Sequence, residues 1–233
     1  FLRELWLLKL QKRLFIPQTK ICNFWKGNSM ADTVTGPDGL PRCGWCSAAP
    51  DFFEYHDKEW GFPVSDDKRL FEKLCLESFQ SGLSWRTILS KRENLRAAFA
   101  QFDFYKVAEF DEKDVERLLQ DAGIIRHRGK IEAVINNAKR AKELVAEEGS
   151  LAAFLWRYEA KLSADFIPQT TSTSSESIAL SKELKKRGWK FVGPTTAYAF
   201  MQAMGLINDH ALECSKRLEV EKARASFQVP QSK

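Results

Sequence analysis

The sequence predicts an all-α fold, and three observations carry that prediction. From residue 65 onward, apolar residues recur at spacings of three and four. No stretch alternates apolar and polar residues with the Val, Ile and Thr enrichment of a half-buried strand. Helical windows continue as far as residue 222, which suits one domain closed by its own ends. There is no internal repeat.

Ser65-Asp66-Asp67 supplies capping oxygens for the first clear helix, whose apolar face is Leu70, Phe71 and Leu74, with Ser78 following. A second helix begins near Asp111, with Val115, Leu118, Leu119 and Ala122 on one face. Gly123 to Gly129 bounds a turn, and a third helix follows with Ile131, Val134, Ile135 and Ala138. Further helical windows cover 150–160, 175–187, 194–206 and 209–222. Residues 31–42 contain Gly36, Pro37, Gly39 and Pro41 and read as a flexible lead-in.

The 233 residues suffice for one medium domain that buries about 70% of its unfolded surface. A charged fraction of 29% with 44% hydrophobic residues excludes a disordered or collagen-like chain. No run approaches the roughly 18 apolar residues of a membrane span. Five unevenly placed cysteines do not make a disulfide scaffold, so a reducing compartment is expected, in the manner of a bacterial cytoplasm. Residues 1–29 carry six bases and one acid, and the 30 bases and 30 acids that remain cancel. The net charge of +5 therefore belongs to the amino-terminal stretch, and anion binding must rest on local clusters. Met30 is the expected start, with 1–29 read as translated upstream sequence; the basic composition leaves a targeting segment open.

Three groups of residues could carry chemistry. Twelve residues separate Cys43 from His56, and three separate His210 from Cys214. On a helix the second pair would face one way, and two thiolates with two imidazoles suit a closed, tetrahedral, structural zinc. On spacing alone Cys214 reads equally as a small buried hydrophobe and His56 as a satisfied loop histidine, while Cys46 of the C-x-x-C competes as ligand. Glu77 lies on the apolar face of its helix, with Gly82-Leu83-Ser84-Trp85 just beyond and Trp45, Phe52, Phe53, Tyr55 and Trp60 upstream. Rings around one acceptor carboxylate suit a planar, electron-poor heterocycle; the plainer reading is a core in which Glu77 caps a helix or pairs with a lysine. The loop from Gly123 to Gly129, with Arg126, Arg128 and Lys130, could place helix N–H groups and cations against a phosphate, or be a solvated basic face. A second basic cluster covers 185–190.

Several longer stretches carry a family resemblance: RCGW at 42–45, YHDKEWG at 55–61, CLESFQSGLSW at 75–85 and KREN at 91–94. LLQDAGIIRHRGKI at 118–131, TSTS at 171–174, LSKELKKRGWKFVG at 180–193, and NDH with Cys214 complete the series. In this order and spacing the chain resembles the 3-methyladenine DNA glycosylase I (Tag) family from about Arg42 to Cys214. The resemblance implies a helix-hairpin-helix DNA glycosylase superfamily fold, with 111–146 as the module that grips the DNA backbone. It implies one structural zinc on Cys43, His56, His210 and Cys214, which prefers His56 to Cys46. It puts the base-recognition carboxylate on Glu77 and the pocket aromatics on Tyr55 and Trp85, with Trp45 and Trp60 nearby. A pocket-edge tyrosine of the family falls on Phe52, which lacks the hydroxyl. Gly82 and Leu83 match the turn that fills the gap left by the extruded nucleotide, and Gly123, Arg126, Arg128, Gly129 and Lys130 fall in the DNA-gripping loop.

The domain expected from this is 42–214, after a leader of 1–41 and before a charged tail of 215–233. Its expected activity is excision of 3-methyladenine from alkylated double-stranded DNA by a monofunctional, monomeric enzyme. The superfamily's usual catalytic Asp is missing from the pattern, so no classical general base is assigned. Two competitors remain: a non-catalytic zinc-stabilised DNA-binding module of the same fold, and a structural zinc protein that meets another protein through 1–29.

Overall fold

The computed structural model describes residues 33–162 and 165–231, so the readings placed on 1–32 lie outside the described residues. A two-stranded antiparallel ribbon opens it, β1 (Thr33–Thr35) and β2 (Pro41–Cys43), with Val34 opposite Arg42. The fold is mostly helical as expected, with this small ribbon added, and residues 33–42 are hydrogen-bonded where a flexible lead-in was expected at 31–42. Arg42 explains the order of the ribbon. Its guanidinium is 3% exposed and meets both Asp57 oxygens at 2.7 and 2.9 Å, Asp38 at 2.8 Å and the Ser215 hydroxyl at 2.7 Å. A buried guanidinium needs such a complete set of acceptors, and this one joins the ribbon to the last segment of the domain.

Eleven α-helices follow among the described residues. They are α1 (Pro50–Lys58), α2 (Asp67–Gln80), α3 (Trp85–Leu89), α4 (Arg92–Ala98), α5 (Phe104–Val107) and α6 (Glu112–Gln120). Next come α7 (Arg128–Glu148), α8 (Leu151–Leu155), α9 (Ser175–Lys186), α10 (Pro194–Ala203) and α11 (Arg217–Ser226). None is long and apolar enough to cross a membrane.

The helix starts follow the capping chemistry in the sequence. The Asp66 side chain accepts from Arg69 N at 2.8 Å to begin α2, and Asp67 accepts from Ala152 N at 2.9 Å to support α8. Asp111 with Asp114, and Ser174 with Ser177, form capping boxes on α6 and α9. The centre of the molecule is α2, buried on every side from Leu70 to Phe79 and packed against α3, α7, α8 and α10. Phe71, Phe79, Phe99, Phe102, Phe154 and Phe200 fill the space around it.

Two segments depart from the periodicity. Residues 207–216 are not helical, although the window 209–222 predicts a helix there. Buried polar side chains take over the backbone's role: Asn208 Oδ1 accepts from His210 N at 3.4 Å, and Asp209 Oδ1 accepts from Gln169 N at 2.7 Å. The helix begins only at Arg217, and the expected tail is α11, with Val220 buried and Phe227 against Trp156 at 4.4 Å. The second departure is the left-handed turn Ala100-Gln101-Phe102, with φ of 50°, 58° and 53°. Each residue costs about 1 kcal/mol there, and burying Phe102 in a stack with Phe99 (5.8 Å) offsets it.

Gly205 closes the fold at a point where no side chain fits. Its φ is +80°, and a Cβ would lie 2.5 Å from Pro63 N and 2.6 Å from Pro63 Cα. Gly205→Ala is expected to lower stability by about 2–3 kcal/mol in urea unfolding. An unchanged midpoint would show that the Phe62–Pro63 segment moves aside freely.

Candidate active site

Helices α1, α2 and α3 meet around one small space. Glu77 lies on the last turn of α2 and Lys73 one turn before it, so both reach the same side of the helix. Gly82, with φ of +78°, turns the chain after α2, and Ser84 caps α3 by accepting from Thr87 N at 3.2 Å. That turn delivers Trp85 against Tyr55 of α1, with ring centroids 5.3 Å apart and planes tilted by 43°.

The space between them holds a charge pair. Lys73 Nζ lies 2.9 Å from Glu77 Oε1, donates to Tyr55 Oη at 2.6 Å, and sits 3.5 Å from the Trp85 ring centroid and 4.8 Å from that of Tyr55. The two charged side chains are 4% and 5% exposed. Burial pulls the Lys73 ammonium below its ordinary range, and Glu77 resists that shift. Burial, with the Glu77 charge, pushes the Tyr55 phenol well up, so it stays neutral and accepts from Lys73. The Trp85 indole N–H is buried without a hydrogen-bond partner. Two aromatic faces and a dry carboxylate thus form a cradle that stabilises positive charge.

The other expected aromatics divide between two neighbourhoods. Trp45 is central, with ring centroids 5.8 Å from Phe52, 6.3 Å from Tyr55, 5.3 Å from His56 and 5.2 Å from Trp60. Trp60 leans on His56 and His210, at 5.9 and 4.6 Å. Phe52 meets the edge of Trp45.

Tyr55 and His56 are neighbours on α1, so one turn of helix serves both the cradle and a cluster of metal-ligating groups. The ligand atoms of Cys43, His56 and Cys214 all lie within 4.8 Å of one another, buried. Cys46 is buried too but stands outside that group. His210 also falls outside the tight group, yet its ring packs 4.8 Å from that of His56. Cys214 is held in a loop, so the helical i,i+4 premise for His210 and Cys214 does not hold.

Both imidazoles are oriented by oxygens. His56 Nδ1 is 2.7 Å from Asp57 Oδ1, and His210 Nδ1 is 3.0 Å from Asn208 Oδ1. A proton on each Nδ1 leaves each Nε2 with a lone pair, and the buried His210 Nε2 has no partner. Burial, reinforced by His56, brings the His210 pKa down to about 2, so the ring is neutral. Cys43 and then His56 pull the Cys214 thiol down to about 4, while burial pushes the Cys43 thiol up. A neutral imidazole and a ready thiolate are the forms that bind a metal ion.

The loop residues do not act alike. Arg126 is exposed and has no ion pair among the described residues. Arg128 is enclosed by Glu112 at 2.6 Å, Glu132 at 3.5 Å and Glu116, which leaves little local positive charge. Lys130 is buried, and its ammonium donates to Phe79 O at 2.9 Å and Ser81 O at 2.6 Å. It therefore ties the start of α7 to the end of α2, beside Gly82 and the partly exposed Leu83. Three further residues gain a role that spacing did not assign. Lys91 Nζ donates to Gly123 O at 2.9 Å and Asn94 Nδ2 to the same oxygen at 3.3 Å, which fixes the loop. Lys73 was legible only as the lysine of the plainer reading of Glu77.

The family model described as methyladenine glycosylase matches residues 45–217. DNA-3-methyladenine glycosylase 1 of Escherichia coli is 52% identical over 179 residues, covering 75% of this chain and 96% of that protein. A crystal structure of 3-methyladenine DNA glycosylase I (TAG) superposes with a TM-score of 0.69 at 49% identity, covering 75% of this chain and 98% of that one. A tyrosine-to-phenylalanine variant of 3-methyladenine DNA glycosylase I, solved in complex with 3-methyladenine, gives 0.71 at 36% identity, covering 76% and 97%. The matched stretch takes in the Tyr55–Trp85 cradle, the carboxylate within it and the loop at Gly123, and the chain belongs to the methyladenine glycosylase family.

Proposed function

We propose that this protein is a monofunctional glycosylase of base-excision repair, acting as a monomer on double-stranded DNA to release 3-methyladenine. The carrying observation is the buried Glu77 carboxylate, already paired with the Lys73 ammonium that lies against the Tyr55 and Trp85 rings. The relatives at 52% and 45% identity are both DNA-3-methyladenine glycosylases, which supports the same activity.

The chemistry follows from the substrate. Methylation at N3 leaves the purine of the nucleotide positively charged, so the base is a good leaving group and its glycosidic bond is labile. The enzyme extrudes the nucleotide, stacks the base on Trp85 and Tyr55, and accepts its hydrogen bonds at Glu77. Bond cleavage returns the electron pair to the base, water adds to the sugar carbon, and the water's second proton is lost to solvent. Geometry and the field of Glu77 supply the modest acceleration required. Lys73, the lysine in the cradle, is engaged by Glu77 and Tyr55 and is not assigned as a sugar nucleophile, so strand cleavage is not part of the reaction. A backbone binder would need neither the carboxylate nor the rings, which sets the non-catalytic module aside.

The grip on DNA is assigned to a helix-hairpin-helix module made by α6, the loop at Gly123 and α7. First-turn N–H groups of α7, near Gly129, and the Arg126 guanidinium face phosphate. Leu83, carried by Gly82, fills the gap in the stack. Arg128 and Lys130 serve the protein's own structure.

A zinc ion fits Cys43, His56, His210 and Cys214: the unpartnered His210 Nε2 and the oriented His56 ring supply the observation that favours it. Its contribution there is structural, tying β2 and α1 to the last loop. Four buried free cysteines among the described residues suit the reducing cytoplasm expected for such an enzyme.

Three measurements test this function. Glu77→Gln is expected to keep DNA affinity and lose about 100-fold in release of 3-methyladenine, read by chromatography of bases freed from methylated DNA; unaltered release would remove its role. Arg126→Ala should reduce the salt slope of DNA affinity by about one unit, whereas Arg128→Ala should barely change it. Elemental analysis should find about one zinc per chain, lost in His210→Ala and weakened more by His56→Ala than by Cys46→Ala; the reverse order would reassign the ligand.

A further inference from the structure

The cradle contains a cation that belongs to the chain. Lys73 is one helical turn from Glu77, and its stem carries the ammonium onto the Trp85 face, 3.5 Å from the ring centroid. It touches the same three groups that a charged base would use: the indole face, the Tyr55 hydroxyl at 2.6 Å and the Glu77 carboxylate at 2.9 Å. A surface lysine would gain little from any of them, but here the hydroxyl and the carboxylate are buried and the indole is half-buried. Other charges near Lys73 do not replace Glu77. Glu59 lies at the end of α1 and is engaged by Arg92, which is itself a cation facing Lys73.

We infer that Lys73 sets the charge preference of the pocket: its ammonium rests where the base stacks, and a base must displace it from the Trp85 face. A positively charged base and the ammonium then compete for a single carboxylate, whereas a neutral base of the same shape does not meet that competition in full. The pocket consequently discriminates less between charged and uncharged bases than Glu77 alone would, and modified purines without a formal charge become acceptable ligands. This rests on the reading of Tyr55, Trp85 and Glu77 as the base pocket. Lys73 acts through Glu77 and the ring face and is a specificity-determining residue.

Calorimetric titration with N-methylquinolinium, a planar permanent cation, and with quinoline, its neutral counterpart at pH 8, tests the inference. Lys73→Met should raise the cation-to-neutral affinity ratio about tenfold, while Lys73→Arg keeps the wild-type ratio. In the wild type the ratio should rise with pH, because burial makes Lys73 lose its proton early. This readout needs no variant to fold. Equal ratios in wild type and Lys73→Met, or a wild-type ratio flat between about pH 7 and 10, overturn the role of Lys73 and leave the pocket standing. Failure of both probes to bind either protein overturns the pocket and the inference together.

Discussion

The burial of α2 is the constraint from which the rest of the structure follows. A helix enclosed on all sides gains most from apolar residues, yet this one carries Glu72, Lys73 and Glu77 at buried positions. Each charge must find its opposite without water. Glu72 is met by Arg92 at 2.7 Å and Arg96 at 2.9 Å, which pins α4 to the centre. Lys73 and Glu77 meet each other, and the aromatic rings of α1 and α3 complete their shell. The end of the helix is held by the Lys130 ammonium on two carbonyls. The site is thus a place where α2 keeps charge inside the protein, with the surrounding helices arranged to satisfy it.

The metal-ligating cluster follows the same logic through different groups. Arg42 holds Asp57, Asp57 holds His56, and Asn208 holds His210. Neither ring can rotate freely, so both Nε2 lone pairs are committed before any ion arrives. Gly61 belongs to this arrangement, since a Cβ there would lie 2.5 Å from His210 Cε1. Trp45 joins the cluster to the cradle by touching both His56 and Tyr55. Order around the two imidazoles therefore reaches the Tyr55 ring through one indole and one turn of α1.

Periodicity and capping residues made the helical frame legible, and Asp66, Asp111 and Ser174 cap where their chemistry says they should. What local pattern could not show was anything decided by a distant partner. The ribbon at Thr33–Cys43 is ordered by Arg42 reaching Asp57 and Ser215, contacts across 15 and 173 residues. The loop at His210 replaces an expected helix because Asn208 and Asp209 find buried partners. The left-handed turn at Ala100–Phe102 contains no glycine or asparagine to announce it. Within the site, Glu77, Tyr55 and Trp85 were legible from spacing and resemblance. Lys73 remained a bland partner until its ammonium was seen between the rings.

Lys130 shows why a basic residue near the loop proposed to grip DNA need not touch DNA. It begins α7, where a phosphate would gain from the helix dipole, yet its charge is turned inward to the carbonyls at the end of α2. Those carbonyls stand beside Gly82 and Leu83, so the loop that would hold the backbone and the turn that would enter the stack share one strut. Arg128, caged by three glutamates, likewise braces α6 against α7. A phosphate contact at Arg126, as proposed, would then be made on a loop braced against the turn that carries Leu83. Extruding a nucleotide requires the backbone to be held at one point while the stack is entered at another. A buried ammonium between those two points resists their separation better than an exposed one, because it has no water to exchange for its carbonyl partners.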